Sequence, residues 1–461
     1  MGVIRFEASG WSARVDDGYD ESAVVRIASA IGTLWASRYM GSTILVGYDS
    51  RRDSERLAVV AGQVLSAAGF EVVVSDRVCP TPALSWETAH RPLCVGALMF
   101  TASRMPHTYG GIVVLESDGS PIDAMFAEAV EQTIQASPTS DRGEVAREDL
   151  VSSYLGSLAN EADGALIEQA DLKIVLDTMY GAGSGYVATM LESLGCEVIP
   201  VHNKMVPDFR GLHPDAREPW VDECEQVVVD TRADFGIVLD GDCSRFAIVD
   251  ETGRLVSPHD LAPLVLEHIV RQRGKRGRVV ATEATSVRIA RQAERLECDF
   301  TMVPVGFESI YREFSEGDVI LATDQSGSIC VPHVTSVRDG ILGALMIVEL
   351  IAGAGESVRD LVAACEGAIG VMEYAALDIK LDFGATQRLR NLLPGINPPE
   401  VLGEEPVRVG HAGGLRLELP DGSWVLLRVS RSRPVARACS EAPTAARARA
   451  LADWAALLAR G

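Results

Sequence analysis

A chain of 461 residues is longer than one hydrophobic core usually organises, so roughly two to four domains are expected. With 47% hydrophobic and 23% charged residues, it has ordinary globular composition and ample apolar material for buried sheets. A formal charge of −23 excludes a broad basic face, and with it a nucleic-acid or anionic-membrane surface, but leaves room for a small anion received by a local cation cluster.

The amino-terminal MGVIRFEASGW lacks the apolar core of a signal peptide, and Phe6 stands where a myristoylation motif wants Ser or Thr. No apolar run approaches the roughly 20 residues of a membrane span. Nine cysteines are scattered singly, without C-x-x-C or His/Cys ligand spacing. They read as small buried hydrophobes of a reduced, cytoplasmic protein.

TILVGYDSR (43 to 51) is a strand running into a polar loop; SERLAVVAGQVLSAAGFEVVV then continues as an amphipathic helix, a Gly stop and a second strand. A further strand, GALMFTASRMP (96 to 106), ends in small and polar residues. The pattern returns in KIVLDTMYGAG (173 to 183), SGYVATMLESLGCEVIPV and FGIVLDGDCSR (235 to 245). A third copy is RVVATEATS (278 to 286), VRIARQAERLECDFTMVPV and DVILATDQSGS (318 to 328), with Leu296-Glu297-Cys298 where the Gly stop would be. Apolar strands alternating with helices predict three tandem related α/β domains with mostly parallel mixed sheets, their strand-end loops converging on a central cleft. The tail differs. Turn-rich linker material from Gly384 to Pro399 precedes a hairpin, GLRLELPDGSWVLLRVS, turning at Asp421-Gly422, and APTAARARALADWAALLAR closes the chain as a helix. This predicts a smaller C-terminal α+β domain. The expected boundaries are 1–145, 146–250, 251–360 and 361–461.

Three loops carry chemistry. Ser103 sits at a strand tip between Thr101 and Pro106, which suits either an ordinary turn or a nucleophile or phosphate carrier. Asp240-Gly-Asp242 can turn two carboxylates toward one hard cation, and oxygen ligands suit magnesium. Arg428, Arg431, Arg433 and Arg437, with Ser430 and Ser432 between them, form the local cation cluster an acidic chain needs to receive an anion. Together they suggest phosphoryl transfer, in which a metal and cations neutralise the moving group.

In order and spacing, these loops resemble the α-D-phosphohexomutases (phosphoglucomutase, phosphomannomutase and phosphoglucosamine mutase). FEASGWSARV (6 to 15) is similar to the family's opening F-G-T-S/D-G-W-R, GYDSR (47 to 51) to G-R-D-T-R, and CPTPAL (79 to 84) to T-P-T-P. TASRMP (101 to 106) resembles the phosphoserine loop T-A-S-H-N-P, and DGDCSR (240 to 245) the metal loop D-G-D-x-D-R. TDQSGS (323 to 328), followed by RDGI, stands where the sugar loop G-E-x-S-G-H belongs; RVSRSRP (428 to 434) stands where the phosphate loop R-x-S-x-T-E-P belongs. The resemblance implies a catalytic set of Ser103, Arg104 and Arg245. It implies a magnesium site of Asp240, Asp242, Ser244 and Ser103, sugar contacts from Asp324 and Ser326, and a phosphate grip of Arg428, Ser430, Ser432 and Arg437. It further implies a phosphoserine at Ser103, a glucose 1,6-bisphosphate-type activator, a phosphorylated hexose as substrate, no nucleic-acid or membrane partner, and a monomer or homodimer.

Departures fall in the same loops. Ser12 replaces Arg, Arg104 and Met105 replace His and Asn, Val113 replaces Lys, Ser244 replaces the third Asp of the metal loop, and Glu308 replaces Lys. Asp324 replaces Glu, Ser328 replaces His, and Arg433 replaces Glu. Arg104 carries permanent charge and cannot act as a base near neutrality, and a neutral Ser244 weakens magnesium binding. Loss of single electrostatic stabilisers costs around 10²–10³ in rate elsewhere. Two readings stay open: a divergent phosphosugar mutase, or a catalytically impaired relative that binds phosphosugars or partners an active paralogue.

Overall fold

The computed structural model describes residues 4–6, 10–37, 41–135, 137–430 and 434–460. Three of its four sheets share one plan. In the first, Thr43–Tyr48 lies between two parallel neighbours, Glu71–Ser75 and Cys94–Phe100, and Tyr109–Glu116 adds antiparallel beyond the latter. In the second, Lys173–Asp177 lies between Glu197–Val201 and Phe235–Leu239, with Phe246–Val249 antiparallel at the edge. In the third, Arg278–Thr282 lies between Asp299–Val303 and Val319–Thr323, with Ile329–Cys330 antiparallel. The repeat legible in the sequence is therefore a repeat of topology. Gly10–Arg14 and Ala146–Glu148 extend the first sheet at its two edges.

Strand order reverses at each central strand, which opens a crevice at the strands' carboxyl ends. Cys94–Phe100 is buried at every position, as its unbroken apolar run requires of a strand covered on both faces. The helix Ser54–Ala67 buries Leu57, Ala58, Ala61, Val64 and Leu65 on one face, and Gly69 (φ 100°) turns the chain into the next strand. Gly195 (φ 93°) does so in the second unit. In the third, Glu297 adopts the left-handed conformation (φ 56°) in glycine's place, at a cost of about 1 kcal/mol. One apolar cluster runs through all three units, from Leu45 to Ile369. Within it the helix Gly340–Ala354 is buried from Gly340 to Ile351, and among the described residues no single helix is long and apolar enough to cross a membrane.

The tail forms an all-antiparallel five-stranded sheet packed against the helix Ala445–Arg460. The hairpin joins Leu415–Glu418 to Trp424–Val429, with Gly422 at φ 83° in the turn. The expected linker from Gly384 to Pro399 is corrected: Phe383–Leu392 is a helix, capped by Asp382 accepting from the Ala385 N–H at 2.7 Å. Gly384 sits in the first turn, where a glycine is tolerated, and burial of Thr386 and Leu389 outweighs it. This domain docks through Glu441, fully buried, which accepts from Trp424 Nε1 (2.8 Å), the Val287 N–H (2.9 Å) and Ser286 Oγ at the amino end of the helix Val287–Arg295.

Candidate active site

Ser103 lies just past the strand Cys94–Phe100, with φ 46°. A non-glycine residue held in the left-handed region is strained, and something must hold it there. Arg51 does. Its guanidinium, 2% exposed, pairs with Asp49 at 3.0 Å and donates to four backbone carbonyls of the loop: Ser103, Met105 (2.6 Å), Pro106 (2.8 Å) and Tyr109 (3.1 Å). The Ser103 N–H donates to Thr101 Oγ1 at 2.8 Å. The hydroxyl thus projects from the strand tip toward the second unit.

There it meets the loop after Phe235–Leu239. Ser103 Oγ donates to Asp240 Oδ2 at 2.9 Å, lies 3.1 Å from Ser244 Oγ, and accepts from Arg245 Nη1 at 2.8 Å. Arg245 Nη1 also reaches Asp240 Oδ2 and Ser244 Oγ, each at 3.3 Å. Asp242 Oδ2 accepts from Thr81 Oγ1 (2.7 Å) and Thr101 Oγ1 (3.3 Å), so two loops of the first unit grip the second. The close approach needs glycine at 241, where a Cβ would lie 2.8 Å from the Ser103 carbonyl oxygen. Burial, then the neighbouring Asp242 charge, pushes the Asp240 carboxyl up to about 7. Two buried carboxylates face one half-buried arginine, so the site is short of positive charge. The oxygens of Ser103, Asp240 and Ser244 lie within 3.3 Å of one another, with Asp242 in the same loop, and an oxygen set of this kind with a surplus of negative charge suits a hard cation such as magnesium.

Arg104 points elsewhere, its Nη1 3.1 Å from Asp215 Oδ2, which Arg217 also engages at 2.6 Å. In the third unit, Asp324 accepts from the Ser326 N–H (2.9 Å) and pairs with Arg338 at 3.2 Å. Burial alone would lift that carboxyl, but Arg338 and Ser326 hold it below its ordinary value. Ser326 Oγ is 2.9 Å from Ser328 Oγ. In the tail, Arg428 faces the cleft, its Nε buried with no hydrogen-bond partner among the described residues. Arg437 makes a two-pronged pair with Asp378 at 2.7 and 2.8 Å, and the Ser430 carbonyl accepts from Arg390 at 2.8 Å. Ser432, with Arg431 and Arg433, lies outside the described residues. Arg104, Arg245, Asp324, Ser326, Arg428, Ser430 and Arg437 line one cleft of about 1460 Å³ between the units and the tail.

Ser12 and Val113 sit in neighbouring strands of the first sheet, in register with Gly111 and Gly10 respectively. Sequence reasoning passed over Arg51 and Asp215. Arg51 belongs to the GYDSR motif, a signal that was visible without its role; Asp215 sits in a segment with no motif at all.

Models of the phosphoglucomutase/phosphomannomutase family match the chain domain by domain: α/β/α domain I over residues 3–141, domain II over 152–253 and domain III over 257–367. The chain belongs to this family. Among its relatives is a phosphoglucomutase/phosphomannomutase of Thermococcus kodakarensis, 28% identical over 433 residues that cover 92% of this chain and 91% of the relative. A phosphoglucosamine mutase of Synechococcus elongatus is 29% identical over 324 residues, 69% of this chain and 68% of the relative. A crystal structure from Thermus thermophilus, which carries a provisional phosphomannomutase name, superposes with a TM-score of 0.88 at 27% identity over the whole of both chains. The three matched α/β domains are the three sheets of one plan, and the superposition extends over the C-terminal antiparallel sheet as well.

Proposed function

We propose that this phosphohexomutase moves a phosphoryl group between two oxygens of one hexose phosphate, with Ser103 as the carrier. The observation that carries the reading is the Ser103 hydroxyl, strained onto a strand tip, 2.9 Å from Asp240 and 2.8 Å from Arg245. In the forward transfer the bond from Ser103 Oγ to phosphorus breaks as one forms to a substrate hydroxyl oxygen. The hydroxyl's proton ends on the freed Ser103 oxygen. The bisphosphate turns over, and the bond from its other sugar oxygen to phosphorus breaks as that phosphoryl group returns to Ser103, whose proton passes back to the sugar oxygen. Arg245 stabilises charge on the moving group, since its Nη1 already contacts the serine oxygen. Arg104, permanently charged and paired with Asp215, orients phosphate and moves no proton.

Asp240, Asp242, Ser244 and Ser103 would hold magnesium, which when bound supplies positive charge against the phosphoryl oxygens. Arg428, Ser430, Ser432 and Arg437 grip the phosphate that stays, so binding energy far from the reacting atoms serves orientation. Asp324 and Ser326 contact sugar hydroxyls, and a glucose 1,6-bisphosphate-type activator loads Ser103. The domain limits that best suit these roles are 1–145, 146–250, 251–360 and 361–461. The test is phosphorus NMR of glucose, mannose and glucosamine 1-phosphates incubated with protein, magnesium and glucose 1,6-bisphosphate. One of them converts to its 6-phosphate, and Ser103→Ala abolishes the conversion. Three unchanged substrates would leave only a phosphosugar-binding relative.

A further inference from the structure

The sugar loop offers hydroxyls and a carboxylate to the cleft, yet an imidazole stands beside it. His259 follows Pro258 at the start of the helix Pro258–Glu267. Its ring packs on that of Tyr374 from the tail domain, 4.1 Å between centroids and tilted 34°. Tyr374 is itself fixed by donating to the Ala284 carbonyl at 2.9 Å. Pro258 abuts the sugar loop so closely that a Cβ at Gly327 would lie 2.7 Å from the proline's own. The ring is therefore held between the third and fourth domains, on the cleft wall that Asp324, Ser326 and Arg428 share.

Its two nitrogens are unequal. Nδ1 is sealed from solvent and has no hydrogen-bond partner among the described residues. The residue lines the cleft and is only half-buried, and Nε2, which has no hydrogen bond among the described residues, is not one of the sealed atoms, so it is the nitrogen that meets the cleft. A neutral imidazole carries one proton. On Nδ1 it would be a buried, unpaired N–H, the rarer and costlier orphan; on Nε2 it leaves only a lone pair behind. Neutrality is enforced by burial first and then by Arg288, against a smaller pull from Asp324, which together hold the ring down to about 4.

We propose that His259 is a substrate-contacting residue whose Nε2–H donates a hydrogen bond to an oxygen of the bound hexose phosphate. This rests on the phosphohexomutase reading and adds a polar contact from outside the four motif loops. It concerns binding and orientation and assigns His259 no proton transfer.

Histidine-selective ¹⁵N labelling of the full chain tests it, with His259→Gln supplying the assignment. The expected spectrum near neutrality shows the Nε2–H tautomer at His259, and glucose 6-phosphate shifts that nitrogen. In calorimetry with glucose 6-phosphate, His259→Leu weakens binding about threefold to tenfold, the loss of one neutral hydrogen bond. His259→Gln, whose amide N–H falls near the Nε2 position, recovers most of it. An Nδ1–H tautomer, or an unmoved resonance at saturating glucose 6-phosphate, overturns the assignment even if the leucine variant misfolds. If wild-type protein binds glucose 6-phosphate and His259→Leu binds it equally, this inference alone falls. If wild-type protein binds no hexose phosphate at all, the proposed function falls with it.

Discussion

Replacing Arg51 by Ala should disable the serine loop more than any single change in the cleft wall. The guanidinium is 2% exposed and its partner Asp49 is fully buried, so the variant strands a carboxylate that water cannot reach. Removing one partner of a buried ion pair typically costs about 3–5 kcal/mol. Two features lower the figure here: Asp49 keeps the Ser54 hydroxyl at 2.9 Å and the residue 51 N–H at 3.0 Å. Burial also already lifts its carboxyl, which eases protonation. The four freed carbonyls belong to half-buried residues and regain water in part. About 3 kcal/mol remains, which corresponds to roughly a hundredfold faster local opening. A chain of several domains has no single unfolding free energy, so the assay is amide hydrogen exchange in a peptide spanning 101–109. Arg51→Lys, a point charge that cannot span four carbonyls, should fall between the two. Exchange in Arg51→Ala within threefold of wild type would refute the claim that this side chain holds Ser103 in its strained conformation.

Other expectations are independent of that one. Burial lifts the Asp339 carboxyl to about 6 despite donors from Leu342 N–H, Tyr154 and Thr335. The folded protein then binds more protons than the unfolded chain between about 4 and 6, so stability contributed here falls as pH rises through that window. Asp339→Asn, which keeps the acceptor oxygen, should flatten that part of a melting-temperature profile. A Cβ at Gly340 would lie 2.5 Å from the Arg245 carbonyl oxygen and 2.9 Å from that of Cys243, so Gly340→Ala must push the Asp240 loop aside. It should ease local opening of that loop by about 1–3 kcal/mol and slow phosphoryl uptake, seen by amide exchange in a peptide spanning 240–245 and by timed mass spectra. Glu441→Leu removes the one oxygen that accepts from both Trp424 Nε1 and the Val287 N–H and should loosen the tail domain by about 1–3 kcal/mol, read as faster exchange of that domain alone. Asp215→Asn frees Arg104 and should change affinity for hexose phosphates while circular dichroism stays unchanged.

The three-fold repeat was legible because each unit writes its own plan in apolar runs, and such runs in strands covered on both faces resist other readings. The helix Phe383–Leu392 was not, because Gly384, Gly395 and nearby prolines mask a short amphipathic face that only the tail sheet completes. Asp240, Asp242 and Ser103 could be named from loop spacing, since strand ends in such sheets converge. Arg51 and Glu441 could not be given roles, because the carbonyls that Arg51 holds lie 52 to 58 positions away, and Ser286 and Val287, which tie Glu441 to the third domain, lie 154 to 155 away. Asp215 shows the same limit: it matters through Arg104, 111 positions distant, and no local pattern announces it.

Intact-mass measurement of the purified chain before and after glucose 1,6-bisphosphate with magnesium reads the covalent step itself. Gain of one phosphoryl group, mapped to Ser103 and absent from Ser103→Ala, is the predicted result. An unchanged mass, or a phosphoryl group that persists in Ser103→Ala, would contradict it.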